Sequence, residues 1–340
     1  MRPTFHPELV NGPEGDPALY VERLHERDAL LFDLGEIPHL PPRKILRLTH
    51  VFVSHCHMDH FAGFDRLLRV LTGRQRTVRL FGPPGFIDRV GHKLAGYTWN
   101  LAACFSNELT FLVTEIPERG PGPRARFRVT TGFAREPLPP AAQPGGRVVE
   151  AAGFRVDTAI LDHRIPCLAF ALSEPEHLNI WKDRLEARGL AIGDWLHAFK
   201  QAVRAGHPAD HPVAVAWRRP GPDQPATLPL GELAQTLLSR VRGQKVAYVV
   251  DAIGSERNAR RIAELARGAD RLYIEAAFLA ADAERAADTY HLTARQAGEI
   301  ARRAGVQDLV PFHFSSRYEH ATDALRTEAE AAYHGHPTPE

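Results

Sequence analysis

The sequence predicts a layered α/β fold. Two observations and one absence point there. Short apolar runs alternate with stretches whose apolar residues recur at helical spacing, as the strands and helices of a layered protein do. At 340 residues and 44% hydrophobic, the chain has enough apolar material for a sizeable core, so disorder is excluded as its main state. No internal repeat, no coiled-coil period and no apolar run near the ~18 residues of a membrane helix competes with this reading. The length admits two domains or one large layered domain.

Each element has its own signal. Ala29–Asp33 (ALLFD) reads as a strand ending at Gly35, and Val51–Ser54 (VFVS) as another. Asp59–Leu71 has apolar residues at helical spacing and reads as a helix. Val78–Phe81 is a short strand stopped by Gly82-Pro83-Pro84-Gly85. Residues 117–147 then hold seven prolines and six arginines against two acids, a local charge of +4; they read as an irregular excursion or a hairpin. Thr158–Leu161 and Cys167–Leu172 are strand-like. Ser173–Pro212 breaks the alternation and reads as an insertion, with a short amphipathic run over Trp195–Val203. Val246–Val250 is a buried strand before a helix over Glu256–Ala266, and Leu272–Glu275 is a strand. Thr293 and Gln296 have capping-box spacing and open a helix to about Arg303. Leu309–Phe312 is the last strand, and a helix follows to about Ala331.

Charge and cysteine usage remove whole classes. The chain has 42 Lys+Arg against 41 Asp+Glu, a formal net charge of +1, which argues against a globally basic nucleic-acid binder. The three cysteines, Cys56, Cys104 and Cys167, form no C-x-x-C pair, so a disulfide framework and a Cys-based zinc finger are excluded. The first residues contain no apolar signal core, and the expected location is cytoplasmic, with no membrane partner. Against this background, 18 histidines raise the question of a metal.

The segment Ser54-His55-Cys56-His57-Met58-Asp59-His60 answers it. His55 and His57 are two residues apart at a strand end, so both imidazoles point the same way. Asp59 and His60 follow where the chain turns into a helix, within reach of a second point a few ångströms away. Three imidazoles and a carboxylate suit a borderline divalent ion such as zinc. Four donors in six residues, directly after a β-run, outweigh a polar loop whose histidines cap backbone groups. Three further donors end apolar runs: His163, Asp251 and His313. Strand ends on one sheet edge are where α/β folds place their sites. Taken singly, His163 and His313 also read as core histidines and Asp251 as a helix cap. Taken with the first cluster, they complete a seven-donor set for two ions about 3.5–4 Å apart.

The same segment resembles the metallo-β-lactamase superfamily. Three other blocks resemble its ribonuclease Z family of tRNA 3′-end endonucleases: His291-Leu292-Thr293-Ala294-Arg295-Gln296-Ala297, Pro311-Phe312-His313-Phe314-Ser315-Ser316-Arg317-Tyr318, and Ile274-Glu275-Ala276-Ala277-Phe278. Gly82-Pro83-Pro84-Gly85 matches a family turn. The resemblance spans roughly Leu30–Tyr318. It implies an αββα sandwich with two mixed sheets between helical layers, a single domain over residues 1–340. It implies that His55, His57 and His163 hold one zinc, that Asp59, His60 and His313 hold the other, and that Asp251 bridges them. Manganese and iron also accept this donor set. Asp59 would also orient or deprotonate the attacking water. His291, paired with Glu275, would stabilise or protonate the departing oxygen. Ser315, Ser316 and Arg317 make a hydroxyl-rich, Arg-bearing loop suited to a phosphate, and a serine there also suits simple helix capping. The implied reaction is removal of the 3′ trailer of precursor tRNA by hydroxide available at neutral pH, and the implied assembly is a homodimer.

Three regions depart from the family pattern. Near its start the chain reads Phe5-His6-Pro7-Glu8-Leu9-Val10-Asn11-Gly12 in place of a Gly-Thr-containing strand. Gly35-Glu36-Ile37-Pro38-His39 replaces a Gly-Glu-Gly-Thr-Gln segment. Residues 173–212, the counterpart of the family's protruding exosite arm, carry five Lys/Arg and six Asp/Glu, a net of −1. Phosphate backbones call for clustered positive charge. The alternative substrate is therefore a small or cyclic phosphodiester, or another small ester.

Overall fold

The computed structural model describes residues 3–24, 26–142, 146–151, 153–222 and 224–336. The chain divides into two compact units. One takes residues 1–148, 156–172 and 245–340, and the other takes 149–155 and 173–244. Met1, Arg2, residues 143–145 of the Pro/Arg-rich stretch and residues 337–340 lie outside the described residues.

The first sheet has eight strands in chain order: β1 (Phe5–Leu9), β2 (Leu19–Arg23), β3 (Ala29–Phe32), β4 (Leu48–Phe52), β5 (Arg76–Gly82), β6 (Leu109–Glu115), β7 (Gly122–Arg128) and β8 (Arg135–Ala141). The centre, β3 to β6, is parallel, and both flanks are antiparallel. The connections between the parallel strands carry α1 (Pro42–Ile45), α2 (Met58–Phe61), α3 (Phe64–Leu71) and α4 (Phe86–Ala95). Period-two alternation sorts the side chains of β4 between two layers. Val51 packs in one cluster with Leu67, Leu68, Phe86 and Val90 of the helices. Phe52 points the other way, stacking between Phe32 and Phe81 at ring-centroid distances of 4.9 and 5.0 Å. The Pro/Arg-rich stretch supplies the outer hairpin, β7 with β8, and Arg126 and Arg128 both pair with Glu136.

Next come β9 (Arg147–Ala151), β10 (Phe154–Asp162) and β11 (Pro166–Ser173). The second unit then contributes β12 (Glu176–Ile180), α5 (Lys182–Ala187), α6 (Trp195–Arg204), β13 (Pro212–Ala214), β14 (Thr227–Pro229), α7 (Leu230–Leu237) and β15 (Leu238–Arg242). β12 pairs with β15, and β13 with β14, both antiparallel. Leu185, Leu190, Phe199, Leu233 and Leu237 give this unit a core of its own. It extends well past the 173–212 segment read as an insertion. Inside it Glu174 is buried between Arg204 and His177, and Arg188 pairs with Glu232.

The chain closes with β16 (Lys245–Val249), α8 (Glu256–Ala266), β17 (Arg271–Glu275), α9 (Ala283–Asp288), α10 (Ala294–Ala304), β18 (Leu309–Phe312) and α11 (Thr322–His334). The second sheet runs β18-β17-β16-β11-β10-β9, with β16, β17 and β18 parallel. Ala247, Val249, Leu272 and Ile274 pack with Ile262 of α8, Ile300 of α10 and Leu325 of α11. The opposite face carries Phe170, Tyr248 and Phe312. Phe170 meets Phe32 and Phe52 at 5.7 and 5.5 Å, and Tyr248 meets Phe32 at 5.9 Å. An aromatic layer therefore joins two mixed sheets, with helices on both outer faces, and the expected αββα sandwich is what the chain forms. Each fully buried Phe in that layer contributes about 1.5–3 kcal/mol of burial.

One expected element differs. The single helix over Asp59–Leu71 is two, α2 and α3, broken at Ala62–Gly63. Gly63 N donates to Leu34 O at 2.9 Å, and a Cβ on Gly63 would lie 2.1 Å from Gly35 O. The break lets α2 press against the end of β3. This contact, with the Leu34 N to His60 O hydrogen bond of 3.0 Å, fixes where Asp59 and His60 stand.

Candidate metal centre

The site lies where strands of both sheets end. β4 leads into Ser54, His55 and His57, and α2 carries Asp59 and His60. β10 leads to His163, β16 to Asp251, and β18 to His313. His55, His57, His163 and Asp251 each offer one ligand atom within 4.8 Å of the others, and Asp59, His60 and His313 do the same. Asp251, His291 and His313 form a third such group. All seven residues read as ligands thus converge, although they come from four separate stretches of sequence.

Asp251 stands at the centre. Its Oδ2 lies 3.4 Å from Nε2 of His55, of His60 and of His163, and its Oδ1 lies 2.9 Å from His313 Nε2. One carboxylate thus faces members of both groups, the arrangement a bridging ligand needs. Asp59 Oδ2 is 3.2 Å from His60 Nε2 and 3.9 Å from His313 Nε2. His55 Nε2 and His60 Nε2 are buried and make no hydrogen bond. Buried polar nitrogens without a partner are costly. A cation at the centre of these donors would satisfy them, so the residues present fit a metal.

Surrounding groups fix the rings. Asp33, fully buried, accepts from Ser54 N at 2.6 Å, Ser54 Oγ at 2.9 Å and Tyr248 OH at 2.9 Å, and lies 3.0 Å from His60 Nδ1. His163 Nδ1 lies 2.7 Å from the carbonyl of Tyr290. A carbonyl only accepts, so Nδ1 carries the proton and Nε2 keeps its lone pair for the centre. Such supports commonly orient ligating histidines. Glu275, also fully buried, accepts from Ala252 N at 2.6 Å and from His291 Nδ1 at 2.8 Å.

Backbone strain concentrates here. Of the six non-glycine residues with positive φ among the described residues, five belong to this site: Asp33 (57°), Arg164 (65°), Asp251 (45°), Tyr290 (61°) and His313 (56°). Such conformations cost about 1–3 kcal/mol each and persist where the surroundings enforce them.

Electrostatics follow the geometry. Burial drives His55 down to about 2, reinforced by the His60 charge. Burial also opposes charge on His60, but Asp251 and Asp33 outweigh it and raise His60 well above the usual range. For Asp251 burial favours the neutral acid, yet His313 and His60 hold it well below the carboxylate range. Asp59 drops to about 2, its burial overcome by the neighbouring His60 and His313 charges. His291 rises to about 9, because Glu275 outweighs burial. A bound cation would take the place of the proton shared at His60.

After His313, Ser315 caps a 3₁₀ turn that holds Ser316 and Arg317. Ser315 Oγ accepts from Arg317 N at 3.4 Å, and Arg317 Nε is 3.7 Å from Asp282. Asp33, Ser54, Tyr248 and Tyr290 escaped the sequence reading. Asp33 had a usable signal, since it ends an apolar run as Asp251 and His313 do.

No protein-family profile matches the chain. Among curated proteins, the chain is 33% identical over 318 residues to a ribonuclease Z of Deinococcus radiodurans, covering 92% of this chain and 91% of that one. The chain belongs to the ribonuclease Z family. A ribonuclease Z of Thermobifida fusca is 32% identical over 292 residues, covering 85% and 74% of the two chains. Solved structures share the fold. The metallo-β-lactamase fold protein YhfI of Bacillus subtilis superposes with a TM-score of 0.53 at 17% identity, covering 96% and 91%. The short form of human tRNase Z superposes with a TM-score of 0.51 at 18% identity, covering 93% of each chain. Membership in the ribonuclease Z family makes the chain a metal-dependent hydrolase of the metallo-β-lactamase fold. No described helix is long and apolar enough to cross a membrane.

Proposed function

We propose that this ribonuclease Z-family chain cuts precursor tRNA after the acceptor stem, leaving a 3′-hydroxyl on the tRNA and the phosphate on the trailer. The observation that carries the reading is Asp251 facing both donor groups, in a chain 33% identical over 92% of its length to a ribonuclease Z. His55, His57 and His163 would hold one zinc and Asp59, His60 and His313 the other, and Asp251, which faces both groups, would serve both. The two cations would supply an acidified water and neutralise charge on the phosphodiester. Asp59 stays ionised and accepts a hydrogen bond from the attacking water, which orients it. His291 carries protons on both ring nitrogens below pH about 9. Its Nδ1–H is held by Glu275, so Nε2 gives its proton to the departing 3′-oxygen. Ser315, Ser316 and Arg317 seat a substrate phosphate. The second compact unit contains the 173–212 arm and takes the exosite role. The homodimer that the family resemblance implies and a cytoplasmic location complete the reading.

The test compares substrates. With zinc or manganese supplied, the protein should cut a precursor tRNA once, at the junction with the trailer. Hydrolysis of a small diester such as bis(p-nitrophenyl) phosphate beside an intact precursor would reject the tRNA substrate and leave the metal chemistry standing.

A further inference from the structure

We infer that Arg164 is a substrate-binding residue whose guanidinium takes a backbone phosphate of the RNA at the edge of the donor cluster. The inference rests on the proposed RNA substrate and adds a contact to it.

Position comes first. Arg164 is the residue after His163, at the tip of the β10–β11 hairpin. His163 N donates to Ile165 O at 3.1 Å and Arg164 N to Asp162 Oδ1 at 2.9 Å. With φ of 65°, the Arg164 backbone is locked in one sparsely populated conformation. The ring of His163 lies 5.2 Å from that of His57 and 5.1 Å from that of His291. His163 therefore neighbours both His57 and the proposed acid, and Arg164 is the next residue in the chain.

Availability comes second. The Arg164 guanidinium lies over the Tyr290 ring, 5.7 Å from its centroid. Arg164 is exposed, and no carboxylate lies within ion-pair distance of it among the described residues. Several other arginines are engaged. Arg257 and Arg261 share Glu118, Arg126 and Arg128 share Glu136, and Arg317 lies beside Asp282. An aromatic face holds a guanidinium without using its in-plane N–H donors. Those donors stay free for the paired oxygens of a phosphate.

The test uses the full-length, metal-loaded protein and its Arg164→Gln and Arg164→Lys variants. Precursor tRNA cleavage is measured across a salt series, together with metal content and bis(p-nitrophenyl) phosphate hydrolysis. Arg164→Gln should raise KM for the precursor about tenfold with kcat within about twofold, and lessen the salt dependence of kcat/KM by about one phosphate contact. Metal content and small-diester hydrolysis should stay at wild-type levels. Arg164→Lys should keep the wild-type salt dependence. Unchanged KM and salt dependence in Arg164→Gln would overturn the inference. So would loss of metal or of small-diester hydrolysis, since Arg164 would then be positioning Tyr290 and His163. A wild-type protein that leaves the precursor intact removes the proposed function and this contact together; an active wild type with an unaltered variant removes this contact alone.

Discussion

Asp251→Ala should lose both metal ions and, with them, activity. Its carboxylate faces His55, His60 and His163 with one oxygen and His313 with the other. Among the described residues, no other belongs to both the His57 group and the His291 group. Metal ions supply several kcal/mol of transition-state stabilisation and each tenfold in rate is about 1.4 kcal/mol, so a fall on the order of 1,000-fold or more is expected. The backbone at Asp251 has φ of 45°, which Ala tolerates poorly. Asp251→Asn separates the two effects, because Asn accepts that conformation while losing the charge. It should bind metal far more weakly than wild type yet keep a native circular dichroism spectrum. His57→Ala gives a graded counterpart. His57 is exposed and belongs to a single donor group, so its loss should empty one position of two. Elemental analysis of the purified variants reads all three outcomes. Full metal content in Asp251→Ala would remove the bridging role.

His291→Ala should behave differently. His291 sits between Glu275, at 2.8 Å from its Nδ1, and Asp251, at 3.9 Å. It is read as a proton donor, not a ligand. Metal content should stay near two ions per chain while kcat falls by about 100- to 10,000-fold, the usual range for removing a positioned acid. Leaving groups sharpen the result. A diester with a p-nitrophenolate leaving group needs no proton, so its hydrolysis should survive the substitution far better than cleavage of RNA, whose departing alkoxide does. An equal loss on both substrates would point to a structural role for His291. A fully active variant would remove the role altogether.

The sequence exposed those parts of the molecule that local chemistry decides. His55–His60 compresses four donors into six residues, and that density has no common structural explanation. His163, Asp251 and His313 were legible because each interrupts an apolar run. The capping box at Thr293 appears as read, with Thr293 Oγ1 accepting from Gln296 N and the Gln296 side chain returning to Thr293 N. Where tertiary contacts decide, the reading fell short. The break between α2 and α3 depends on the approach of Gly35 to Gly63, residues 28 apart in sequence, while the helical spacing of apolar residues runs straight through it. The supports of the ligands were equally hidden. Tyr290 holds His163 through a main-chain carbonyl, which no side-chain pattern reports. Tyr248 reaches Asp33 across the two sheets from 215 residues away, and its spacing within β16 suits any buried aromatic.

Every role assigned to this site depends on two metal ions in each chain. Protein prepared with zinc supplied, freed of loosely held ions and measured for metal per chain, addresses that directly. The predicted result is two ions per chain in the wild type. One ion or fewer would contradict a dinuclear centre bridged by Asp251.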